Sequence, residues 1–530
     1  MTLRPTPRRP NFRRQVDAPA GAAFPGGWIA KLEPPRGPAS RLSDRAVRRV
    51  RPPKAGRSTP PAGGQNGSVL IIVLWVAFGL VTLALYFASG MGLELRAADQ
   101  RVAGLQAEWA AIGAVRHVSN LLATVEQPGL APDLLPQECE DVPVGEARFW
   151  LIGRDDRQTT PDLPAFGLVD EASKLNLNTA SRDMLEWLPG MTPELADAIL
   201  DWRDSNDEPG ANGAENQTYL RLNPPYRCKN APFESVEELR LVYGMTLEVL
   251  YGEDTNLNGI LDPNENDGDV SPPNDNRDGR LDPGLLEFVT VYSRESGAGL
   301  TNVNERESLA LLLESQFGAD RANQILLQVS LSSGPAGGGP GGPGGVPGGL
   351  PTGGAGQTMF TNLMQFYLLS GMTPEEFDQV YPWLTTTNGM VEGLINVNTA
   401  SEQVLACVPG IGTDGAPALV AYRSANNTRY ASLAWVAEVL GQEKALQAGP
   451  HLTARSFVYT ADVAALGRQD RGYRRARFVF DTNGGTPALR FRQDITHMGW
   501  ALGAQTRLDL EETRETRALT RSPSSTFLSR

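Results

Sequence analysis

The chain has 530 residues, of which 96 are Gly or Pro, about 18%, which favours linkers and many turns over one compact barrel of this length. Three Cys without a CxxC pair argue against a disulfide scaffold and a Cys-based zinc module. Residues 1–67 carry a net charge of +11 and the rest −24. An acidic body repels phosphates, so nucleic acid is not expected as the main partner.

The Arg- and Pro-rich residues 1–67 are predicted to be a disordered basic leader. The stretch from Val69 to Ala88, VLIIVLWVAFGLVTLALYFA, has no charge and is long enough to cross a bilayer core of ~30 Å. The basic side should stay cytoplasmic. The alternatives are a buried core helix and a secretory signal peptide, whose apolar region would be shorter.

The helical pattern continues beyond the apolar stretch, and we predict one helix over 68–125. Apolar residues recur at spacings of three, four or seven, namely Leu95, Val102, Leu105, Trp109, Ile112, Val115 and Leu122. The first third of this helix is apolar all round, whereas the rest is amphipathic and requires a packing partner.

The remaining chain divides by composition into strand-like and helical segments. The predicted boundaries are strands at 126–175, helices at 176–333, a Gly/Pro linker at 334–357, helices at 358–450, strands at 451–505 and a tail at 506–530. Strands at both ends with helices between them predict an α+β fold, in which a large helical insertion interrupts an antiparallel sheet.

An internal repeat lies within the helical segments. LNLNTASRDMLEWLPGMTPELADAILDWR (175–203) matches INVNTASEQVLACVPGIGTDGAPALVAYR (395–423) in register. Each copy predicts a helix-hairpin-helix, or SAM-like, unit with Gly190 or Gly410 in the hairpin turn. Such hairpins can bind DNA through backbone N–H groups and nearby basic residues. The second helix of the first copy is acidic, so structural packing is the favoured interpretation.

Residues 254–265, DTNLNGILDPNE, match the calcium-binding EF-hand loop at all twelve positions. Hard oxygen ligands at this spacing suit calcium rather than zinc, and a solvated acidic loop is the alternative. The predicted ligands are Asp254, Asn256, Asn258, the Ile260 carbonyl, Asp262 and Glu265.

Two further loops are weaker calcium candidates. The loop at 274–287 offers Asn276, Asp278 and Asp282 but has Leu285 where the twelfth-position Glu is expected, so the pattern leaves a complete site open. The stretch at 201–216 offers a second set, Asp204, Asp207 and Glu215. Its spacing fits no template, and by spacing alone a solvated loop is favoured.

Several of these segments together resemble one family, the type II secretion minor pseudopilins known as general secretion pathway protein K. The resemblance rests on NGSVLIIVLWV (66–76), LNLNTAS, LPGMTPELADAILDWRDSNDE, GAENQTYL, PYRCKNAPFESVEELRLVYGMT and INVNTAS. It implies a pseudopilin fold with a long N-terminal helix. It also implies calcium in the helical domain, where the DWRDSNDE and GAEN segments match the family motif.

The resemblance also implies how the chain matures and what it contacts. Prepilin peptidase would cut between Gly67 and Ser68, leaving a methylated N-terminus, although the leader is much longer than is typical of the family. The protein would sit in the inner membrane with its globular part in the periplasm. It would join the I and J minor pseudopilins at the pseudopilus tip, where it could touch the secretin or the cargo.

One residue departs from ordinary pilins, which carry Glu at mature position 5. Ile72 stands there in this chain. A buried carboxylate is costly unless it is paired, and a subunit with none above it needs no such partner, so Ile72 fits a tip position.

No catalytic function is expected, because His117, His451 and His497 form no evident nucleophile–base arrangement. A membrane-anchored DNA-binding protein of the competence type is the main alternative function. A calcium-dependent adhesion module is a third.

Overall fold

We describe a computed structural model of the chain, which covers residues 66–521 except Glu126, Pro128, 155–163, Asp269, Ser271, Pro273, 333–358 and 427–430. The predicted leader and the predicted Gly/Pro linker lie almost wholly outside the described residues. The α-helices are α1 Asn66–Ala123, α2 Pro136–Cys139, α3 Arg182–Glu186, α4 Pro193–Arg203, α5 Asn216–Tyr219, α6 Leu247–Tyr251, α7 Leu285–Phe288, α8 Arg306–Phe317, α9 Ala319–Ser332, α10 Leu363–Ser370, α11 Pro374–Val380, α12 Glu402–Ala406, α13 Gly412–Asn426, α14 Ala434–Leu440, α15 Gln442–Ala448 and α16 Gly503–Arg521.

The strands are short except in the C-terminal part of the chain. They are β1 Val142–Val144, β2 Ala147–Ile152, β3 Val169–Asp170, β4 Leu175–Asn176, β5 Val289–Thr290, β6 Arg294–Ser296, β7 Thr301–Asn302, β8 Leu384–Thr385, β9 Met390–Glu392, β10 Ile395–Asn396, β11 Leu452–Thr453, β12 Val458–Gly467, β13 Arg471–Asp481 and β14 Ala488–Asp494. Short 3-10 helices lie at Glu171–Ser173, Val236–Leu241, Tyr381–Trp383, Gly449–His451, Arg468–Asp470 and Thr496–Met498.

The first helix, α1, runs without interruption for 58 residues, which is roughly 85 Å at the rise of an α-helix. Its apolar side chains from Val69 to Phe87 are exposed, as Trp75 shows with an exposed fraction of 77%. By length and composition this helix could cross a membrane. The structure thus agrees with the prediction of one continuous helix.

The second half of α1 packs against the sheet through small side chains. Alanines at helical spacing are buried there, namely Ala103, Ala107, Ala110, Ala111 and Ala114. The approach is close, because a Cβ added at Gly467 in β12 would lie 2.0 Å from the Ala103 carbonyl oxygen. The amphipathic part of the helix therefore finds its packing partner in the sheet.

The main sheet has the order β1-β2-β12-β13-β14, and each neighbouring pair is antiparallel. Strand β3 also pairs with β12. Strands from both ends of the chain thus form one sheet around the helical insertion, as the α+β prediction required. The far face of the sheet carries Leu502 and Leu510, which are buried against Trp150 and Leu466. Residues 503–521 are helical, although the sequence predicted a tail from 506 onward.

The helical region repeats one backbone pattern three times in the described residues, whereas the internal sequence repeat showed only two copies. Each copy starts with a two-residue strand ending in Asn, which pairs in parallel with a two-residue strand ending in Thr: β4 with β5, β7 with β8 and β10 with β11. In each copy the Asn side chain accepts the N–H two residues later, namely Asn176 from Asn178, Asn302 from Asn304 and Asn396 from Asn398.

The middle copy runs from Thr301 to Thr385 and therefore includes residues on both sides of 333–358. A single hydrophobic cluster extends from Leu175 to Ala454 through all three copies. The structure thus groups these residues as three repeats on one core, whereas the composition suggested two domains joined by a linker.

Candidate metal centres

The loop at 254–265 has the hydrogen bonds expected of a folded EF-hand loop. Asp254 accepts the backbone N–H groups of Asn258 at 3.0 Å and Gly259 at 2.9 Å. Gly259 has a φ of +79°, which only Gly adopts without strain. The Glu265 carboxylate accepts the N–H groups of Thr255 at 2.8 Å and, from the other side, of Asp262 at 3.1 Å. The backbone of this loop therefore surrounds the carboxylates of Asp254 and Glu265.

The donor set of this loop fits a calcium ion. All six predicted ligand residues are buried: Asp254, Asn256, Asn258, Ile260, Asp262 and Glu265. The Oδ1 atom of Asn256 is buried and has no hydrogen-bond partner among the described residues. Burial raises the pKa of Asp254 to about 6 and that of Glu265 to about 7. Such carboxylates are costly to ionise alone and are stabilised by a divalent cation.

The second loop lacks the twelfth-position Glu, but another carboxylate occupies the equivalent place. Glu253, which precedes the first loop, is buried and accepts the N–H groups of Asn276 at 3.1 Å and Asp282 at 2.9 Å. These are positions three and nine of the second loop. In the first loop Glu265 likewise accepts the N–H groups of positions three and nine, from Asn256 at 3.4 Å and Asp262 at 3.1 Å, in addition to that of Thr255. Spacing within the second loop could not reveal Glu253, because it lies 21 residues before Asn274.

The predicted ligands of the second loop, Asn276, Asp278 and Asp282, are exposed. The Nδ2 group of Asn276 donates to Asp282 at 2.8 Å, as Asn256 does to Asp262 in the first loop. The two loops therefore share a hydrogen-bond pattern but differ in burial.

A third cluster joins Asp201, Asp204 and Glu215, with one oxygen from each residue within 4.8 Å of the others. The sequence named Asp204, Asp207 and Glu215. The structure instead places Asp207 against Asn216, whose Nδ2 donates to it at 2.8 Å. Asp201 was missed as a ligand because it belongs to helix α4, where its neighbours predict an ordinary helix surface.

Glu215 makes this cluster chemically unusual. The residue is 2% exposed, and apart from the nearby Cys228 thiol its carboxylate oxygens have no hydrogen-bond donor in the described chain. Burial, followed by the charges of Asp201 and Asp204, raises the pKa of Glu215 to about 7. Three converging carboxylates can bind a hard divalent cation, which would compensate this repulsion.

Gly213 sets the space around the third cluster. A Cβ at this position would lie 1.9 Å from Oδ2 of Asp201. We expect Gly213→Ala to displace that carboxylate and to weaken the predicted calcium binding at this cluster at least tenfold, as measured by isothermal titration calorimetry. The matched control is Gly484→Ala, whose Cβ meets no atom within 4 Å. Equal calcium affinity in both variants would contradict a role of this cluster in calcium binding.

The hairpin turns lie where the sequence predicted them, with φ of +70° at Gly190 and +86° at Gly410. Their chemistry does not favour DNA. Arg203 at the end of α4 donates to the carbonyl oxygens of Leu177 and Ala180, and Arg423 in α13 donates to that of Val397 at 3.0 Å. These arginines stabilise their own repeat rather than face a phosphate. A Cβ at Gly410 would also lie 2.6 Å from the Lys444 carbonyl, so α15 covers that turn.

The predicted cleavage point, the three cysteines and His117 are placed as follows. Gly67 and Ser68 lie in the first turn of α1, and Ile72 is 61% exposed on it. Cys139, Cys228 and Cys407 are buried free thiols. His117 contacts the Glu138 carbonyl oxygen at 2.8 Å and serves the packing of α1 on α2.

Two segments of the chain match models of known protein families. The family model for type II secretion system (T2SS), protein K, matches residues 173–251, and a helix-hairpin-helix motif model matches 392–452. The second match confirms the motif around Gly410. Both matches lie in the helical insertion.

Curated relatives are each named type II secretion system protein K. The protein from Pectobacterium carotovorum subsp. carotovorum is 27% identical over 203 residues, and that from Klebsiella pneumoniae is 28% identical over 205. The Aeromonas hydrophila protein is 28% identical over 216 residues. These matches cover 34% to 35% of this chain and 58% to 61% of the relatives, so the chain spans about three-fifths of their length.

A solved GspK-GspI-GspJ complex from enterotoxigenic Escherichia coli aligns with 76% of this chain and 99% of its own chain, at 11% identity and a TM-score of 0.35. The family model and the curated relatives agree on one name. The resemblance found in the sequence is thereby confirmed: residues 173–251 match the protein K family model, and about a third of the chain is similar to curated proteins of that name.

Proposed function

We propose that this protein is a minor pseudopilin of the type II secretion system with a structural, non-catalytic role. The observation that carries the proposal is the position of the protein K domain. It is inserted between two parts of a sheet that packs on a long N-terminal helix with an apolar first third. Such a helix can anchor the protein in the inner membrane before assembly and pack among other subunits afterwards.

We also propose that the protein caps the tip of the pseudopilus and that its globular part lies in the periplasm. Ile72 replaces a carboxylate that a subunit with no neighbour above it would leave unpaired. The partners would be minor pseudopilins of the I and J types, as in the solved GspK-GspI-GspJ complex. The secretin or the secreted cargo would lie beyond the tip.

Processing by prepilin peptidase provides the test of this function. We expect Gly67→Phe to block cleavage, because a bulky side chain would replace the Gly at the cleavage point. Mass spectrometry of protein from native membranes should then find the intact leader, and secretion should be lost. Gly90→Ala, which meets no atom within 4 Å, is the control. Normal secretion by Gly67→Phe with a start at Ser68 would refute the assignment.

We further propose that calcium binds the helical insertion. The support is the buried, oxygen-rich set of the loop 254–265 and the convergence of Asp201, Asp204 and Glu215. The second loop would bind calcium with Glu253 as its acidic ligand. The periplasm is a compartment in which calcium could remain bound and stabilise the folded chain.

The role of Glu253 can be tested by counting bound calcium. We expect Glu253→Gln to lose one calcium ion per chain in equilibrium dialysis, because an amide replaces the carboxylate that would be bidentate. Glu248→Gln makes the same change of charge at an exposed position of α6 and should retain every ion. An unchanged count in Glu253→Gln would exclude it as a ligand.

A further inference from the structure

The calcium loop at 254–265 is held against the main sheet by a buried arginine. Arg475 in β13 is 0% exposed and forms an ion pair with Asp462 in β12, with both N–O distances at 2.8 Å. Its guanidinium also donates to the carbonyl oxygens of Asn256 and, at 2.7 Å, Leu257. The backbone of loop positions three and four is therefore attached directly to the sheet.

Two more contacts reinforce this attachment. The Nδ2 group of Asn256 donates to the Trp500 carbonyl oxygen at 3.2 Å. Arg154, which follows β2, donates to the Leu257 carbonyl oxygen at 3.2 Å and pairs with Glu287. A side chain that is predicted to bind the ion is thus bonded to the segment after β14, and the same loop backbone is held by two arginines.

The loop can keep this position only if its interior is stable. Its three carboxylates lie together in a buried site, and Oδ1 of Asn256 has no partner in the described protein. A cation at the centre would satisfy that oxygen and offset the repulsion, thereby fixing the carbonyl groups that Arg475 contacts. Binding of the ion and attachment to the sheet should therefore favour each other.

We propose that calcium in the loop 254–265 locks the helical insertion onto strands β12 and β13 through Arg475. The calcium level then sets how firmly the helical insertion is held on the main sheet. This inference rests on the proposed binding of calcium by the same loop. It adds that the site acts as a structural lock rather than only stabilising its own loop.

Reciprocity gives the first test. Calcium binding to the full chain in detergent is measured by isothermal titration calorimetry, and Asp254→Asn identifies the ion of this loop. The double variant Asp462→Leu/Arg475→Met removes both charges of the buried pair at once. We expect it to bind that ion at least fivefold more weakly than the wild type does. Glu295→Leu/Arg455→Met removes another buried pair and should leave the affinity unchanged. Equal affinities in both double variants would overturn the lock.

Hydrogen exchange of the wild-type chain gives a second test that needs no variant. We expect added calcium to slow exchange both in 254–265 and in 496–502, the segment that Asn256 contacts. Protection confined to 254–265 would overturn the lock while leaving calcium binding intact. Absence of any calcium binding would instead refute the proposed calcium site itself.

Discussion

Removal of calcium by a chelator is expected to lower the stability of the chain strongly at neutral pH and weakly near pH 4. An ion present at a hundredfold excess over its dissociation constant adds about 2.7 kcal/mol to the free energy of unfolding. The proposed ligands are ionised only when calcium or a higher pH removes their protons. The free energy of unfolding should be obtained from urea unfolding curves with calcium and with chelator, and the two values compared.

The direction of the pH dependence follows from the buried carboxyl groups. Burial raises the pKa of Glu215 and Glu265 to about 7 and that of Asp254 to about 6 in the calcium-free fold. The folded state thus holds protons more tightly than the unfolded chain, whose carboxyl pKa values lie near 4. Without calcium, the contribution of these carboxyl groups to the free energy of unfolding is fully present below about pH 4. It is lost as the pH rises towards about 7.

Calcium should reverse this loss, because it binds the ionised form. The calcium-dependent difference should accordingly grow between about pH 4 and pH 7. Asp254→Asn with Glu215→Gln serves as the control and should show a smaller difference than the wild type at every pH, because only the second loop keeps its acidic ligand. A difference in the wild type that is flat across this range would contradict a link between these carboxylates and the ion.

Arg475→Met is expected to destabilise the folded chain by about 3 kcal/mol, because it leaves the buried Asp462 carboxylate without its main partner. Burial alone would raise the pKa of Asp462, yet Arg475 holds it below its usual value. Arg477 lies 3.5 Å from Asp462 and compensates only in part. Chemical unfolding monitored by circular dichroism measures the loss.

The double variant Asp462→Leu/Arg475→Met separates the charge from the packing. Replacing a whole buried pair by apolar side chains often costs little, so we expect most of the lost stability to return. The carbonyl groups of Asn256 and Leu257 still lose a donor, and therefore recovery should be incomplete. If Arg475→Met were as stable as the wild type, the ion pair between Asp462 and Arg475 would not stabilise the fold.

The sequence alone determined those features that depend on local physics. A charge-free stretch followed by an amphipathic pattern predicted α1, since both properties follow from residues close together in the chain. The turns at Gly190 and Gly410 and the loop at 254–265 were equally local, because a positive φ and a twelve-residue ligand spacing are written into consecutive residues. The main sheet was also predicted, from strand patterns at both ends of the helical insertion.

The middle copy of the repeat, from Thr301 to Thr385, was revealed only by the tertiary structure. Its Asn302 and Asn304 occupy the same roles as Asn176 and Asn178, but the helices that follow share little of the other copies' sequence. A pair of hydrogen bonds to Phe360 closes this copy across 56 residues, and a local pattern cannot show such a contact.

The metal centres show the same limit at the level of single side chains. Glu253 reaches the second loop because Gly252 and Pro283 form a bridge, and Asp201 meets Glu215 only because the loop after α4 folds back. Arg475 contacts the loop 254–265 although the two lie more than 200 residues apart in the chain. Ligand spacing is a property of the chain, whereas convergence depends on long-range packing. The sequence therefore predicted which loops could bind calcium, and the fold decided which carboxylates come together and what they are attached to.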